Sequence, residues 1–298
     1  MLARVLWGVL AALALGSIAA AWWLGGRLGF ERGAVVLLAA GLFFAVPAAM
    51  VLATFAIAWR HRTAPPPELR IGPLAALRCV LHEIVAHTVA YVFLQPFPRL
   101  ATPRGGVDAG RPKVLLVHGY FCNAGVWGWL GRRLVARGHA VHTVTLEPLF
   151  AAIEDYVAPL ARRVDEIAGP AGRVILIGHS MGGLVCRAYA RRFGGARLAG
   201  IVTLGAPHHG TVLALFGHGA DAQDMQPMGA WLRELGESER AGLATRVTSI
   251  YGSHDNFVAP QDSSALAGAK NVPLAGIGHL ALLFSGRVAA LVDAELRA

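Results

Sequence analysis

Residues Arg173–Val185 read RVILIGHSMGGLV, and the fold turns on how this stretch is read. Val174, Ile175, Leu176 and Ile177 form an unbroken apolar run, the pattern of a strand buried on both faces. Gly178-His179-Ser180-Met181-Gly182 follows and matches G-x-S-x-G. Beyond it, Leu184, Val185, Ala188 and Tyr189 recur at helical spacing. Strand, sharp turn and helix in this order put Ser180 on a strained corner. The residues two before and two after it must be small, because the incoming strand and the outgoing helix nearly touch there. Such a corner lifts Ser180 Oγ off the sheet and aims the Met181 N–H toward whatever Oγ attacks. Ser180 is the candidate nucleophile; the bland reading is an ordinary Gly/Ser turn.

From Lys113 onward, strands and helices alternate. Val114–Val117, Ala140–Leu146, Val174–Ile177, Leu198–Leu204 and Arg246–Tyr251 read as strands. Val126–Arg137, Ile153–Ile167, Met181–Phe193 and Leu280–Arg297 read as helices. The pattern predicts an α/β fold, a mostly parallel sheet flanked by helices, with its chemistry at the C-terminal strand ends.

A serine hydroxyl needs a base, a group that orients the base, and donors for a developing oxyanion. The first strand runs into His118-Gly119-Tyr120-Phe121. Gly119 would let backbone pass close to a substrate, leaving the Tyr120 N–H to pair with that of Met181. His118 reads as a turn-fixing hydrogen bonder. In YGSHDNFV, Asp255 follows a strand and small residues and is the candidate orienting acid, with Asp262 second. Asp221 and Asp224 are expected to be solvated. In GIGHL, His279 sits in a glycine-freed loop before the closing helix and is the candidate base. The chain order Ser180, Asp255, His279 is the one a nucleophile elbow requires.

These strings, VLLVHGYFCN, GHSMGGLV, TLGAPHHGT, YGSHDNFV and GIGHL, resemble those of the α/β-hydrolase superfamily, specifically bacterial triacylglycerol lipases and related esterases. TLGAPHHGT (Thr203–Thr211) is the most discriminating, being typical of lipase-like members. The resemblance covers about residues 113–298. It implies an α/β-hydrolase fold, Ser180 as nucleophile, Asp255 as acid, His279 as base, and Tyr120 and Met181 as oxyanion-hole donors. Residues 210–243 are expected to form a short lid. Its Met225, Met228 and Trp231, with Phe121 and His179 beside the turns, are the candidate substrate-binding residues, an apolar mouth for an acyl chain. The alternative for the Met and Trp residues is packing on the sheet.

The first 112 residues lie outside the resemblance. Overall, 55% of the 298 residues are hydrophobic and 15% charged, greasier than an ordinary soluble protein. Val5–Gly26 and Gly33–Trp59 carry no charge and are each long enough to cross a bilayer. Trp22, Trp23 and Trp59 sit where interfacial aromatics belong. Residues 1–62 therefore read as a two-helix membrane anchor, against a rival reading of residues 1–21 as a cleaved signal. Ten arginines and four acids before Lys113 place much of the net +9 beside this anchor, where it suits anionic lipid rather than nucleic acid. More positive charge flanks the hairpin than lies in its loop. This predicts a multi-pass protein of the bacterial inner membrane with a cytoplasmic catalytic domain. Residues 63–112 read as a linker holding an apolar helix, Gly72–Phe97, packed or interfacial. Its His82, Glu83 and His87 miss the spacing of H-E-x-x-H, since the two histidines stand five apart.

No metal, no calcium site and no cofactor is expected, and three widely spaced cysteines suggest no disulfide framework. The expected partners are an ester or lipid substrate and the membrane bilayer. The expected enzyme is a carboxylic ester hydrolase. A thioesterase, an amidase, an acyltransferase or a catalytically inactive membrane scaffold would carry similar motifs.

Overall fold

The computed structural model describes residues 1–103, 105–106, 110–170 and 172–298. Two long helices come first, α1 (Leu2–Leu28) and α2 (Arg32–Arg60), packed against each other as a hairpin. Gly29 ends α1 in the left-handed conformation, at φ 68°, which glycine adopts without a steric penalty. The hairpin leaves most of its apolar surface uncovered: Leu15, Ile18, Trp22, Val36 and Leu37 are all exposed. At its base, Leu2 and Leu6 of α1 and Val51 and Ala58 of α2 are buried, and the N-terminal ammonium pairs with Glu147; toward the turn, the small residues Ser17, Ala21 and Gly25 of α1 are also buried.

Among the described residues, three helices are long and apolar enough to cross a membrane: α1, α2 and Pro73–Leu94. The third consists of α3 (Pro73–Thr88) and a π-helical continuation, Val89–Leu94. It differs from the others in what it touches. Ala86 and Ala90 are buried in the same apolar cluster as Leu280, Ala281, Leu282 and Leu283 near the C-terminus. The apolar helix expected within residues 72–97 is thus packed against the body of the protein.

That body is a six-stranded sheet in the order β2-β1-β3-β4-β5-β6, with every neighbouring pair parallel. In chain order its elements are β1 (Lys113–Val117), α4 (Gly128–Ala136), β2 (Val141–Val144), α5 (Val157–Ala168), β3 (Val174–His179) and α6 (Met181–Phe193). There follow β4 (Leu198–Leu204), α7 (Ala220–Asp224), α8 (Ala230–Ser238), β5 (Val247–Gly252), β6 (Lys270–Leu274) and α9 (Gly286–Arg297). Alternate residues of β1 and β3 feed opposite faces. Leu115, Val117, Val174 and Leu176 meet α5 and α6 on one face. Val114, Leu116, Ile175 and Ile177 meet α4, α9 and α3 on the other.

Two features depart from the sequence reading. Strand β6 was not expected, because KNVPL carries two polar residues and a proline. It sits at the sheet edge, where a missing backbone donor is tolerated. The single closing helix divides at Ser285 into a 3₁₀ turn, Leu280–Phe284, and α9, whose first turn Ser285 caps by accepting from Val288 N–H.

Arg187 of α6 shows how the segment after β4 is fastened. The guanidinium is 2% exposed and pairs with Glu239, just past α8, while its Nη1 also reaches His208 O at 3.3 Å. Arg187→Ala would strand the Glu239 carboxylate and cost about 3 kcal/mol. Equilibrium unfolding in detergent should show that loss.

Candidate active site

Four loops meet at the C-terminal edge of the sheet. The first is the corner between β3 and α6. Ser180 adopts φ 56°, ψ −129°, a conformation costly for a residue with a side chain. Its N–H donates to Leu204 O at 2.9 Å and its carbonyl accepts from Gly183 N–H at 2.9 Å, so β4 and α6 together hold the strain. The glycine requirement has a direct steric source. A Cβ on Gly178 would lie 2.5 Å from Gly182 O and Gly183 N, and one on Gly182 would collide with the carbonyls of Val117 and His118. Ser180 is half-buried. Its hydroxyl makes no hydrogen bond among the described residues.

The second and third loops follow β5 and β6. Asp255 is 1% exposed and His279 3%. Asp255 Oδ2 lies 2.8 Å from His279 Nδ1, while Oδ1 accepts from the Phe257 and Val258 N–H groups at 2.7 and 2.8 Å. Burial opposes protonation of His279, but the charge and hydrogen bond of Asp255, with a contribution from Glu83, outweigh it. The imidazole therefore stands above its ordinary pKa. With Nδ1–H donated to Asp255, Nε2 is left as the free basic nitrogen of the neutral ring. The His179 ring, next to Ser180 in sequence, lies 4.6 Å from the His279 ring, and His179 Nε2 is 3.3 Å from His279 O. His179 is fully buried, and desolvation together with the neighbouring His279 holds its pKa well below the ordinary value.

The fourth loop follows β1. His118 Nε2 accepts from Leu146 N–H at 2.9 Å, so its Nδ1 carries the proton toward Gly119 O, also at 2.9 Å. Burial pushes His118 down to about 4, and it acts as a neutral turn-fixing group. A Cβ on Gly119 would lie 2.8 Å from Ser180 Cβ, which brings this turn against the elbow. Neither the Tyr120 nor the Met181 backbone N–H has a protein acceptor among the described residues.

Residues 136–274 match the family model described as the PGAP1-like alpha/beta domain. Lipase BlEst2 from Bacillus licheniformis, in its mature form, is 19% identical at a TM-score of 0.57, covering 66% of this chain and 96% of that chain. A structure of the metagenome-derived lipolytic enzymes LipS and LipT matches at 17% identity and TM-score 0.53, covering 66% and 98%. The esterase RhEst1 from Rhodococcus sp. ECU1013 matches at 19% and 0.50, covering 65% and 93%. The sheet-bearing domain has the α/β-hydrolase fold.

Within this α/β-hydrolase domain the remaining candidates fall in different places. Phe121, at φ 48°, stacks on Tyr91 and Phe150 at centroid distances of 6.4 and 5.9 Å, so it lines the donor turn. The Tyr120 side chain turns to the segment after β4, donating to His218 O at 2.8 Å. Met225 is buried in the core cluster, and Trp231 packs on that cluster with Arg191 over its ring. Met228 is exposed and borders a cavity of about 650 Å³ with His209, Leu232 and Asp262. The segment expected as a lid is a 3₁₀ turn, Val212–Phe216, followed by α7 and α8. Asp221, expected in solvent, is buried, and desolvation raises it to about 6. Asp224 accepts from Ile153 N–H at 2.8 Å, and Asp262 accepts from Thr63 Oγ1 at 2.6 Å.

The sequence reading missed the groups behind the loops. Glu83 of α3 is wholly buried and accepts from the Leu280 and Ala281 N–H groups. Gln95 accepts from Asn123 N–H beside the donor turn. A lone acid in an otherwise apolar helix was the available signal for Glu83. The TLGAPHHGT string also gains a physical role. Gly205, at φ 57°, passes so close to the pair that a Cβ would lie 3.2 Å from both Asp255 Oδ2 and His279 Nδ1. Thr211 Oγ1 donates to Phe257 O at 2.7 Å and accepts from Ala259 N–H at 3.1 Å. Gly205→Ala should therefore lower stability by about 1–2 kcal/mol through the left-handed conformation alone, measurable as a reduced midpoint in denaturant.

Proposed function

We propose that this protein is a membrane-anchored serine hydrolase that cleaves carboxylic esters of lipid-like substrates. The observation that carries the reading is the buried Asp255–His279 pair, at 2.8 Å, beside a serine held at positive φ on a strand-to-helix corner. Such strain is retained where a nucleophile must be presented, and such a pair fixes the tautomer of a general base.

The chemistry follows from these groups. His279 Nε2 takes the Ser180 proton as Oγ attacks the ester carbonyl. The Tyr120 and Met181 N–H groups receive the oxyanion. Collapse expels the alkoxide, which His279 protonates, leaving an acyl group on Ser180. Water then gives a proton to His279 as its oxygen attacks the acyl carbonyl, and the Ser180 Oγ–acyl bond breaks as His279 returns the proton to Oγ and the carboxylic acid leaves. Asp255 orients the ring throughout and stabilises its cation. Phe121 and His179 wall the nucleophile as substrate-contacting groups. The exposed Leu215 and Phe216 of the lid give an apolar approach suited to an acyl chain.

The organisation we infer is a two-helix anchor (residues 1–62), a connecting segment (63–112) and the hydrolase domain (113–298) with its short lid. The anchor exposes an apolar surface that water would not tolerate and lipid would. Both ends of the hairpin lie at the hydrolase domain: the N-terminal ammonium before α1 pairs with Glu147, and Thr54 of α2 accepts from Asn256 Nδ2. Arg60, Arg62 and Arg70 follow α2, and the positive-inside rule assigns that side to the cytoplasm of a bacterial inner membrane.

Hydrolysis of p-nitrophenyl esters from short to long acyl chains, by detergent-solubilised full-length protein, tests the reading. Rates should rise toward long chains, and Ser180→Ala should lower kcat by at least about 10³-fold with the fold retained. Equal rates in the mutant would falsify the assignment. A rate carried by neutral His279 should fall as pH drops through the histidine's raised pKa, so the acid limb of kcat/KM should lie above about 6.5. Asp255→Asn removes the groups that raise it. That limb should then move to lower pH while kcat falls by about 10⁴-fold.

A further inference from the structure

Two N-terminal helices reach the loop that carries His279, and they reach it with polar groups. From α3, the two carboxylate oxygens of Glu83 accept from consecutive backbone donors, Leu280 N–H at 2.9 Å and Ala281 N–H at 2.8 Å. These are the first amides of the 3₁₀ turn after His279, donors with no partner inside the turn itself. Gly278 is pressed against the same carboxylate, since a Cβ there would lie 2.6 Å from Glu83 Oε2. From α2, Thr54 Oγ1 donates to Val51 O at 2.8 Å, which leaves it only an acceptor role toward its neighbour. It accepts from Asn256 Nδ2 at 2.8 Å. That fixes the amide so that Asn256 Oδ1 accepts from His279 N–H at 3.1 Å. The residues before and after the His279 ring are thus held by α3, and its own backbone N–H by a relay from α2.

A structural role alone does not account for this choice of residues. Ala86 and Ala90 already bury α3 in the domain core, and an apolar residue at position 83 would pack there without a desolvated carboxylate. Glu83 does what packing cannot: it fixes two successive amides and places a carboxylate near the imidazole. The other titratable groups around His279 are Asp255 from the β5 loop and His179 from the elbow; Cys79 lies one turn before Glu83 on α3.

We propose that Glu83 and the Thr54–Asn256 relay are positioning residues for His279, so that α2 and α3 form part of the active-site scaffold and the hairpin is more than a tether. The proposal rests on the reading of His279 as the base. It ties catalytic competence to correct insertion of α2, because Thr54 reaches Asn256 only when the base of the hairpin is seated on the domain.

The test uses full-length protein in detergent and in phospholipid vesicles, with Glu83→Gln, Glu83→Ala and Thr54→Val. Three readouts are needed: kcat and KM across pH, fluorophosphonate labelling of Ser180, and the His279 titration by NMR of histidine-labelled protein. In Glu83→Gln the amide nitrogen faces a backbone N–H, and the acid, which burial raises to about 7, is lost together with the negative charge it carries above that pH. The expected result is a kcat lowered roughly ten- to hundredfold with KM little changed, and a His279 titration moved to lower pH. Thr54→Val, nearly isosteric, should slow turnover and labelling without moving the titration. Folded variants with wild-type kcat and an unshifted titration would overturn the proposal. Should Glu83→Ala fail to fold, Glu83→Gln and Thr54→Val still decide it. Should wild-type protein neither hydrolyse esters nor label at Ser180, the hydrolase reading fails. The NMR titration, which needs no turnover, then decides the positioning role by the same shift or lack of it.

Discussion

Asp255 and His279 meet away from water, and a carboxylate there is tolerated only when its lone pairs are occupied. The surrounding loops are arranged around that demand. Two backbone N–H groups and the imidazole take the Asp255 oxygens, while Gln261 Nε2 donates to the Asp255 carbonyl at 2.8 Å. Thr211, from the segment after β4, braces the same loop through Phe257 and Ala259. Gly205 gives the pair its room, because no side chain would fit between β4 and the two rings of contact. The imidazole is held in turn by Asn256 at its backbone and by Glu83 just beyond it. A histidine so fixed keeps Nδ1 on Asp255 and its ring against that of His179, the residue before Ser180.

What was legible in the sequence is what local sterics dictate. The elbow could be read because the Gly178 clash with Gly182 and Gly183 is local to the turn; Gly182 instead makes room for the carbonyls of Val117 and His118 at the end of β1. Asp255 and His279 could be read because a parallel sheet delivers functional groups at strand ends, and each followed a recognisable strand or glycine loop. The strand before His279 was less visible. In β6, Pro273 and the exposed Lys270 and Asn271 mask the apolar signal, and only its edge position explains the composition. Large apolar residues on a short segment look the same whether they face a ligand or a core; Met225 is buried in the core cluster and Trp231 packs against it while staying partly exposed.

The N-terminal region was harder to read, because lipid and protein interior are both apolar. Three helices meet the length and hydropathy of a membrane span, yet they have different surroundings. One residue separates them. A carboxylate at position 83 needs hydrogen-bond donors, and hydrocarbon supplies none. The Leu280 and Ala281 amides supply them, so α3 belongs to the hydrolase body on this face. By contrast, α1 and α2 carry no ionisable side chain between Val5 and Gly26 or between Gly33 and Trp59, so nothing in their sequences demands a protein partner.

The base of α2 then limits what the hairpin can span. Thr54 is engaged by Asn256 and Ala58 is buried, so the last turns of α2 lie alongside the hydrolase domain. Val51 is buried too, so the stretch from Gly33 to Met50 remains, and at 1.5 Å per residue it is about 27 Å long, near the ~30 Å hydrocarbon thickness of a bilayer. The same helix also reaches, through Thr54 and Asn256, the backbone of the proposed base, so the apolar hairpin and the His279 loop are joined by two successive hydrogen bonds.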